Sequence, residues 1–149
     1  MNADELFMQH AFELAQRAEQ EGEVPVGAVI AKDGEIIAEG WNRPIAGHDP
    51  TAHAEVQAIR AASQALKNYR LPETTLYVTL EPCLMCMGAI AHARIQRVVY
   101  AATDPRAGAV ESIYTIAEDR KLNHHVDIEG GLMAEKCGQL LKDFFRQRR

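Results

Sequence analysis

Three residues of this chain combine side-chain types and spacings that suit a catalytic metal site. His53, Cys83 and Cys86 carry side chains that zinc prefers as ligands. Three protein ligands leave one coordination position for water, whereas a structural zinc ion normally has four protein ligands. The two cysteines lie three positions apart, which places both sulfur atoms on one face of a helix. These residues therefore predict a zinc site with one open position.

Glu55 follows His53 by two positions and supplies the second component of a hydrolytic site. Zinc lowers the pKa of its bound water from about 15.7 to about 7, and a nearby carboxylate that is not a ligand can accept the released proton. We therefore expect Glu55 to act as a general acid and base. On its own, Glu55 would be interpreted as a helix-start carboxylate that the helix dipole stabilises.

The elements that must position these residues alternate between strands and helices. Hydrophobic patterns predict helices over residues 4–21, 52–66, 83–92 and 132–149, and strands over residues 26–31, 36–38, 76–80, 95–101 and 126–128. The pair Asp33-Gly34 predicts a hairpin between the first two strands. Thr51 is a candidate N-cap of the second helix, and Pro82 is expected in the first turn of the third helix.

The order of these elements predicts an α/β domain with a partly parallel sheet. A strand, a helix and another strand follow one another over residues 76–101, as in a right-handed βαβ unit. No linker or internal repeat divides the chain, so we expect one domain over residues 1–149 with helices on both faces of the sheet. His53 and the cysteine pair would then meet at an end of the sheet where ligands commonly bind.

Composition and charge limit the classes of protein to which this chain can belong. The first residues include no basic segment followed by an apolar run, and no 18 apolar residues occur together, so we expect a cytoplasmic protein without a membrane span. In a reducing compartment a close cysteine pair is more often a metal site than a disulfide. The net charge of −5 argues against indiscriminate nucleic-acid binding. However, residues 130–149 contain five basic and two acidic residues, whereas residues 1–25 contain six acidic residues and one arginine.

Two segments together resemble the signature of zinc-dependent nucleobase deaminases. They are His53-Ala54-Glu55 and Pro82-Cys83-Leu84-Met85-Cys86. Each half alone is weak, because His-x-Glu is common by chance and Cys-x-x-Cys also occurs in redox motifs and structural zinc sites. In this chemistry, zinc-activated hydroxide attacks the carbon that bears the amine, the glutamate relays a proton to a ring nitrogen, and ammonia leaves.

Beyond the signature, the chain resembles the bacterial tRNA-specific adenosine deaminases over nearly its whole length. The matching segments are residues 23–29, 40–45, 48–55, 76–88, 104–108 and 144–149. The resemblance implies a three-layer α/β/α cytidine-deaminase-like fold with a mixed five-stranded sheet. It also implies a homodimer in which a neighbour helps to shape each site, one zinc ion per subunit, and conversion of adenosine to inosine at the wobble position of a tRNA anticodon stem-loop.

The same resemblance assigns roles to individual residues. His53, Cys83 and Cys86 would bind zinc and Glu55 would be the proton shuttle. The implied substrate-binding residues are Asn42, Ala54, Pro82 and Asp104. The candidate RNA-contacting residues are His48, Arg106, Phe144, Phe145, Arg146, Arg148 and Arg149.

Two of these assignments have simpler alternatives. Without the resemblance, Asn42 in a turn would be expected to bond its own backbone. Adjacent helical positions point about 100° apart, so we expect one of Phe144 and Phe145 in the core and the other beside the terminal arginines. An exposed ring there could stack on an unpaired base.

Two other functions remain open at this stage. The first is deamination of a free base or nucleoside, such as guanine or cytosine. The second is a non-catalytic RNA-binding module in which zinc only holds the fold together. Glu55 argues against the second, because a structural zinc site has no use for a proton-transferring carboxylate.

Overall fold

Four helices are interspersed with five strands along the part of the chain that the computed structural model describes, residues 1–116 and 124–148. The elements are α1 (Ala3–Gln20), β1 (Gly27–Lys32), β2 (Glu35–Trp41), α2 (Ala54–Leu66), β3 (Thr75–Leu80), α3 (Leu84–Ala93), β4 (Arg97–Ala102), β5 (Asp127–Gly130) and α4 (Ala134–Gln147). This order confirms the α/β class predicted from the sequence. None of these helices combines the length and hydropathy needed to cross a membrane.

The five strands form one mixed sheet in the order β2-β1-β3-β4-β5. Strand β1 pairs antiparallel with β2 and β3, whereas β3 pairs parallel with β4 and β4 with β5. The β1–β2 turn places Asp33 and Gly34 at φ values of 53° and 80°, the left-handed conformation that a two-residue type I′ hairpin requires. The predicted hairpin and the partly parallel sheet are therefore confirmed.

Helices cover both faces of the sheet. On one face, Val29, Tyr77 and Val99 pack against a cluster that includes Met8 of α1 and Cys137 of α4. On the other face, alternate strand residues pack against α2 and α3. These strand residues include Ile30, Val78 and Val98, and their helical partners include Ala58 and Ile90. Alternate side chains of one strand point to opposite faces of the sheet. Because helices cover both faces, both sets of side chains are buried, which accounts for the long hydrophobic runs in the strands.

Gly40 allows α2 to approach β2 closely enough to fix the start of the helix. A Cβ atom at this position would lie 2.2 Å from the carbonyl oxygen of Ala54 and 2.5 Å from the backbone nitrogen of Ala58. Any side chain there would push the helix away from the sheet. This contact sets the position of the first turn of α2, which carries Glu55.

The expected N-cap of α2 is wrong. His53, not Thr51, occupies the N-cap position, and its side chain makes no capping hydrogen bond. The side-chain oxygen of Asn42 instead accepts the N–H of Ala54 at 2.8 Å. Asp49 accepts both the backbone N–H and the hydroxyl of Thr51, at 2.9 and 2.7 Å, so Thr51 belongs to a turn before the helix.

The expected position of Pro82 is also wrong. The N-cap of α3 is Cys83, so Pro82 precedes the helix and is not in its first turn. The carbonyl of Pro82 accepts the N–H of Ala109 at 2.8 Å, and Cys83 forms an isolated β-bridge with Gly108. The segment before α3 is therefore extended because it pairs with the chain that follows β4.

Candidate active site

The three candidate ligands lie at the starts of two neighbouring helices. His53 is the N-cap of α2, Cys83 is the N-cap of α3, and Cys86 lies in the first turn of α3. The Nδ1 atom of His53 is 3.6 Å from the Sγ atom of Cys83 and 3.6 Å from that of Cys86. All three potential ligand atoms lie within 4.8 Å of one another. The fold therefore brings together residues that are 30 positions apart in the sequence.

The spacing of these atoms fits a tetrahedral zinc site. Bond lengths of about 2.0–2.1 Å to nitrogen and about 2.3 Å to sulfur place a ligand nitrogen and a ligand sulfur about 3.6 Å apart. The observed nitrogen–sulfur separations match this value. Within residues 1–116 and 124–148, no fourth histidine, cysteine, aspartate or glutamate joins the group. The donor set thus suits a zinc ion that keeps one position for a non-protein ligand.

The two sulfur atoms and the imidazole interact strongly. The hydrogen bond from Cys86 and, after it, that from His53 lower the pKa of the Cys83 thiol to about 4. The same contact with Cys83, together with burial, raises the pKa of Cys86, which has no exposed surface. The hydrogen bond to Cys83 also raises the pKa of His53. A thiolate at the N-terminus of α3 is favoured by the helix dipole and is the form that binds a metal ion.

Glu55 lies in the first turn of α2, and only 4% of its surface is exposed. Burial raises the pKa of its carboxyl group to about 7, and the nearby charge of Cys83 adds to this effect. A carboxyl group with this pKa can take up or release a proton near neutral pH, which is the requirement for a general acid and base.

Asn42 connects the loop before α2 to the first turn of that helix. Its side-chain oxygen accepts the N–H of Ala54, 12 positions away, so this oxygen bonds the start of α2 and not the backbone of its own turn. The amide nitrogen of Asn42 is the remaining donor group. This bond also places Asn42 beside Ala54, the residue between the candidate zinc ligand His53 and Glu55.

Two buried carboxylates were not identified from the sequence. Glu23 and Glu81 are 1% and 2% exposed, and each accepts hydrogen bonds from the backbone of a loop near the site. Burial opposes the charge of Glu81, but hydrogen bonds from Ser112 and from backbone N–H groups hold its pKa below the usual value. The only sequence signal for Glu81 was its position as a single acidic residue between a buried strand and Pro82.

Several of the candidate RNA-contacting residues meet at a cavity of about 490 Å³ beside α4. Its lining includes Asp104 and Arg106 from the loop after β4, and Phe145 and Arg146 from α4. Leu80 and Ala102, the last residues of β3 and β4, form part of its wall. The cavity therefore lies at the same end of the strands as the segment that leads to Cys83.

One of the two neighbouring phenylalanines is buried and the other exposed, as expected, but Arg148 stacks on the buried ring and not on the exposed one. Phe144 is 3% exposed and Phe145 is 43% exposed. The guanidinium carbon of Arg106 lies 5.9 Å from the centre of the Phe145 ring. Arg148 instead stacks on Phe144 at 3.6 Å and donates to its carbonyl oxygen.

His48 does not join this group. His48 is exposed in the loop before α2, with φ at 48°, and it does not line the cavity. Arg149 lies outside the residues that the structure describes.

Residues 1–102 match the family described as the cytidine and deoxycytidylate deaminase zinc-binding region. The matched range contains His53, Cys83 and Cys86, the three residues whose geometry fits zinc. The cofactor expected from the sequence is therefore confirmed as zinc.

Individual relatives are similar over almost the whole chain. A tRNA-specific adenosine deaminase of Haemophilus influenzae is 51% identical over 147 residues, which cover 98% of this chain and 85% of that protein. A solved structure from work on A-to-I editing by tRNA:A34 deaminases at the wobble position is 45% identical, with a TM-score of 0.88 over 91% of this chain and 98% of that chain. A guanine deaminase from Bacillus subtilis is 38% identical, with a TM-score of 0.67 over 99% and 94% of the two chains. The expected three-layer fold with a mixed five-stranded sheet is thus confirmed.

Proposed function

Because the chain belongs to the cytidine and deoxycytidylate deaminase family and, within it, to the tRNA-specific adenosine deaminases, we propose that it converts adenosine to inosine at the wobble position of a tRNA anticodon. The observation that carries this proposal is a three-residue zinc site beside a buried glutamate, in a chain 51% identical to a tRNA-specific adenosine deaminase. The substrate is RNA, and the products are inosine and ammonia.

The residues of the site divide the hydrolysis between them. His53, Cys83 and Cys86 hold the metal, which when bound lowers the pKa of water to about 7 and so supplies a nucleophile at neutral pH. Oxygen becomes bonded to C6 of adenine and the bond from C6 to the exocyclic nitrogen breaks. Glu55 carries the proton that N1 of the ring takes up and then the proton that leaves with ammonia. Its buried carboxyl group can exchange protons near neutral pH.

Asn42 and its neighbours orient the purine. The side-chain oxygen of Asn42 is occupied by the N–H of Ala54, so its amide nitrogen is the group that donates to a ring nitrogen of the base. Ala54 and Pro82, which precede Glu55 and Cys83 in the sequence, are the other candidate contacts of the base. Asp104 lies at the entrance, in the loop after β4.

The anticodon stem-loop supplies unpaired bases that fit the cavity beside α4. Phe145 offers an exposed aromatic face, and Arg106 and Arg146 offer positive charge at the same cavity. Proteins recognise single-stranded RNA loops by stacking bases on aromatic side chains and by neutralising phosphates. These residues contact the nucleotides next to the reacting adenosine.

We also infer that the protein forms a homodimer in the cytoplasm. Leu84 and Met85, at the start of α3, are 48% and 38% exposed, so an apolar surface beside Cys83 is available to a second subunit. A neighbouring subunit bound there would help to enclose the metal site. Sedimentation at equilibrium tests this part: a dimer has twice the monomer mass of 16.5 kDa.

A substrate panel tests the proposed activity. The zinc-loaded protein is incubated separately with an anticodon stem-loop carrying adenosine at the wobble position, with the same stem-loop carrying guanosine there, and with free guanine and cytosine. We expect ammonia and inosine only from the adenosine stem-loop. Ammonia only from a free base would identify the alternative deaminase. Binding of the stem-loop without ammonia from any substrate would identify a non-catalytic RNA-binding module.

A further inference from the structure

Glu81 gathers an unusual number of backbone donors around one carboxylate. Its two oxygens accept the N–H groups of Asp104 at 3.0 Å, Val110 at 2.9 Å, Glu111 at 2.8 Å and Ser112 at 3.0 Å. They also accept the hydroxyl of Ser112. An ionised carboxylate has only acceptor sites, and converging backbone N–H groups form an anion-binding concavity. Glu81 thus occupies this concavity from within the protein.

The loop held by Glu81 is packed directly over it. A Cβ atom on Gly108 would lie 2.4 Å from the Glu81 carboxylate, so only glycine allows the loop to close at this point. The loop is also tied to residues 82–86, here called the metal-binding segment, because Ala109 donates to Pro82 and Gly108 pairs with Cys83. Glu81 adjoins Pro82 in the sequence, so it connects the same two segments through its side chain.

We propose that Glu81 is a positioning residue that holds residues 104–112 against the metal-binding segment, and that it thereby sets the affinity for RNA without touching the reacting atoms. The loop carries Asp104 and Arg106, which line the cavity beside α4. The part of this inference that concerns RNA rests on the proposed function, whereas the part that concerns the loop rests only on the contacts of Glu81.

Glu81→Gln removes the anchor with almost no change in size. Glutamine has one acceptor oxygen, and its NH₂ group would face backbone donors that now bond a carboxylate oxygen. Glu23→Gln is the matched control. Glu23 is equally buried and accepts backbone N–H groups from Ile45 at 3.2 Å and Ala46 at 2.8 Å, in a different loop.

Amide hydrogen exchange, followed by NMR on the zinc-loaded full chain, tests the anchoring directly. In Glu81→Gln we expect the amides of Asp104, Val110, Glu111 and Ser112 to exchange about tenfold faster or more, while the strands keep their protection. In Glu23→Gln we expect faster exchange at Ile45 and Ala46 but not at the four amides. Unchanged exchange at the four amides in Glu81→Gln would overturn the proposal. An equal increase throughout the sheet would also overturn it, because Glu81 would then contribute only to global stability.

Steady-state kinetics with the adenosine stem-loop tests the consequence. In Glu81→Gln we expect KM to rise about tenfold, which is the scale of one lost charge-assisted contact. We expect kcat to stay within about twofold of its original value and the protein to keep one zinc ion per chain. A lower kcat at unchanged KM would overturn the positioning role. If the unaltered protein does not deaminate the stem-loop, the proposed function fails, but hydrogen exchange still decides whether Glu81 anchors the loop.

Ser112→Ala keeps the inference testable if Glu81→Gln does not fold. It removes only the hydroxyl donor to Glu81. We expect a smaller increase in exchange at the same amides and a smaller rise in KM. No change in either quantity would count against the anchor.

Discussion

At the scale of single residues, the proposed proton transfer depends on the pKa of the Glu55 carboxyl group. Burial and the charge of Cys83 oppose ionisation of the carboxyl group in the first turn of α2, and they outweigh its own backbone N–H, which favours the ionised form. The result is a pKa of about 7. Glu55 can therefore serve as the acceptor of a proton and later as its donor without a large cost in either state.

Glu55→Gln should separate metal binding from catalysis. Glutamine fills the same volume, and the ligand atoms of His53, Cys83 and Cys86 are unchanged. We expect one zinc ion per chain but a kcat lower by about 10²–10⁴-fold, the usual contribution of general acid–base catalysis. Metal analysis and the rate of inosine formation measure the two quantities. Turnover close to that of the unaltered protein would reject the proton-transfer role.

The grouping of His53, Cys83 and Cys86 could be predicted from the sequence, because each half of the signature is a local pattern. The roles of Asn42 and Glu81 could not be predicted in the same way. Asn42 bonds a backbone group 12 positions away, and Glu81 bonds groups 23 to 31 positions away. Such partners become neighbours only after the sheet has formed.

At the scale of elements, the site depends on the starts of α2 and α3. Neither helix has a side-chain cap from its own N-cap residue, because His53 and Cys83 are turned toward each other. The first turn of α2 is completed by Asn42 from the preceding loop. The candidate metal site and the helix cap therefore use adjacent residues, His53 and Ala54.

Substitutions at Asn42 should distinguish its capping role from its role in binding. Asn42→Ala removes the acceptor for the N–H of Ala54 and should lower the free energy of unfolding by about 1 kcal/mol. Asn42→Asp keeps an acceptor but loses the amide donor, so it should retain stability and raise KM for the stem-loop. Urea unfolding and steady-state kinetics measure the two effects. Equal loss of stability in both variants would contradict the assignment of the cap.

The neighbouring rings of α4 should also respond differently. Phe144→Ala removes a core side chain and should destabilise the protein by about 3–5 kcal/mol. Phe145→Ala should change stability by less than about 1 kcal/mol, since its ring is 43% exposed, but weaken RNA binding by about 1–3 kcal/mol. Urea unfolding and fluorescence anisotropy with a labelled stem-loop check both. Unchanged RNA affinity in Phe145→Ala would remove this ring from the binding surface.

The fold could be predicted well where hydrophobic periodicity determines it. The hairpin, the parallel pairing of β3 with β4 and the covering of both faces all followed from local patterns. Element ends were less predictable, because competing hydrogen bonds decide them. Thr51 does not cap α2 because its hydroxyl bonds Asp49 in a turn before the helix. Pro82 precedes α3 because its carbonyl accepts the N–H of Ala109.

At the scale of the whole molecule, charge is distributed unevenly, because the two terminal helices carry net charges of opposite sign. The acidic α1 and the basic α4 contribute to the same hydrophobic cluster, and Lys136 of α4 bonds Gln9 of α1 at 2.7 Å. Lys142 and Arg146 of α4 line the cavity that Arg106 also lines. A protein with a net charge of −5 can thus still present positive charge at one place.

Salt dependence should measure this local charge. Each contact to a single-stranded phosphate contributes about 0.7 to the slope of log K for RNA binding against log salt concentration. Replacing Arg146, Arg148 and Arg149 together with glutamine should therefore reduce this slope for the stem-loop by up to about 2. Arg70→Gln is the control. Arg70 is exposed and precedes β3, at the other end of that strand from the site. An unchanged slope in the triple variant would exclude these arginines from the RNA contact surface.

The origin of the new oxygen atom tests the hydrolytic reaction most directly. The zinc-loaded protein is incubated with the adenosine stem-loop in water enriched in ¹⁸O, and the nucleosides are then analysed by mass spectrometry. We predict inosine at the wobble position with ¹⁸O at C6 and one ammonia released per inosine. Adenosine that remains unchanged, or inosine whose oxygen does not come from the solvent, would contradict hydrolytic deamination at this site.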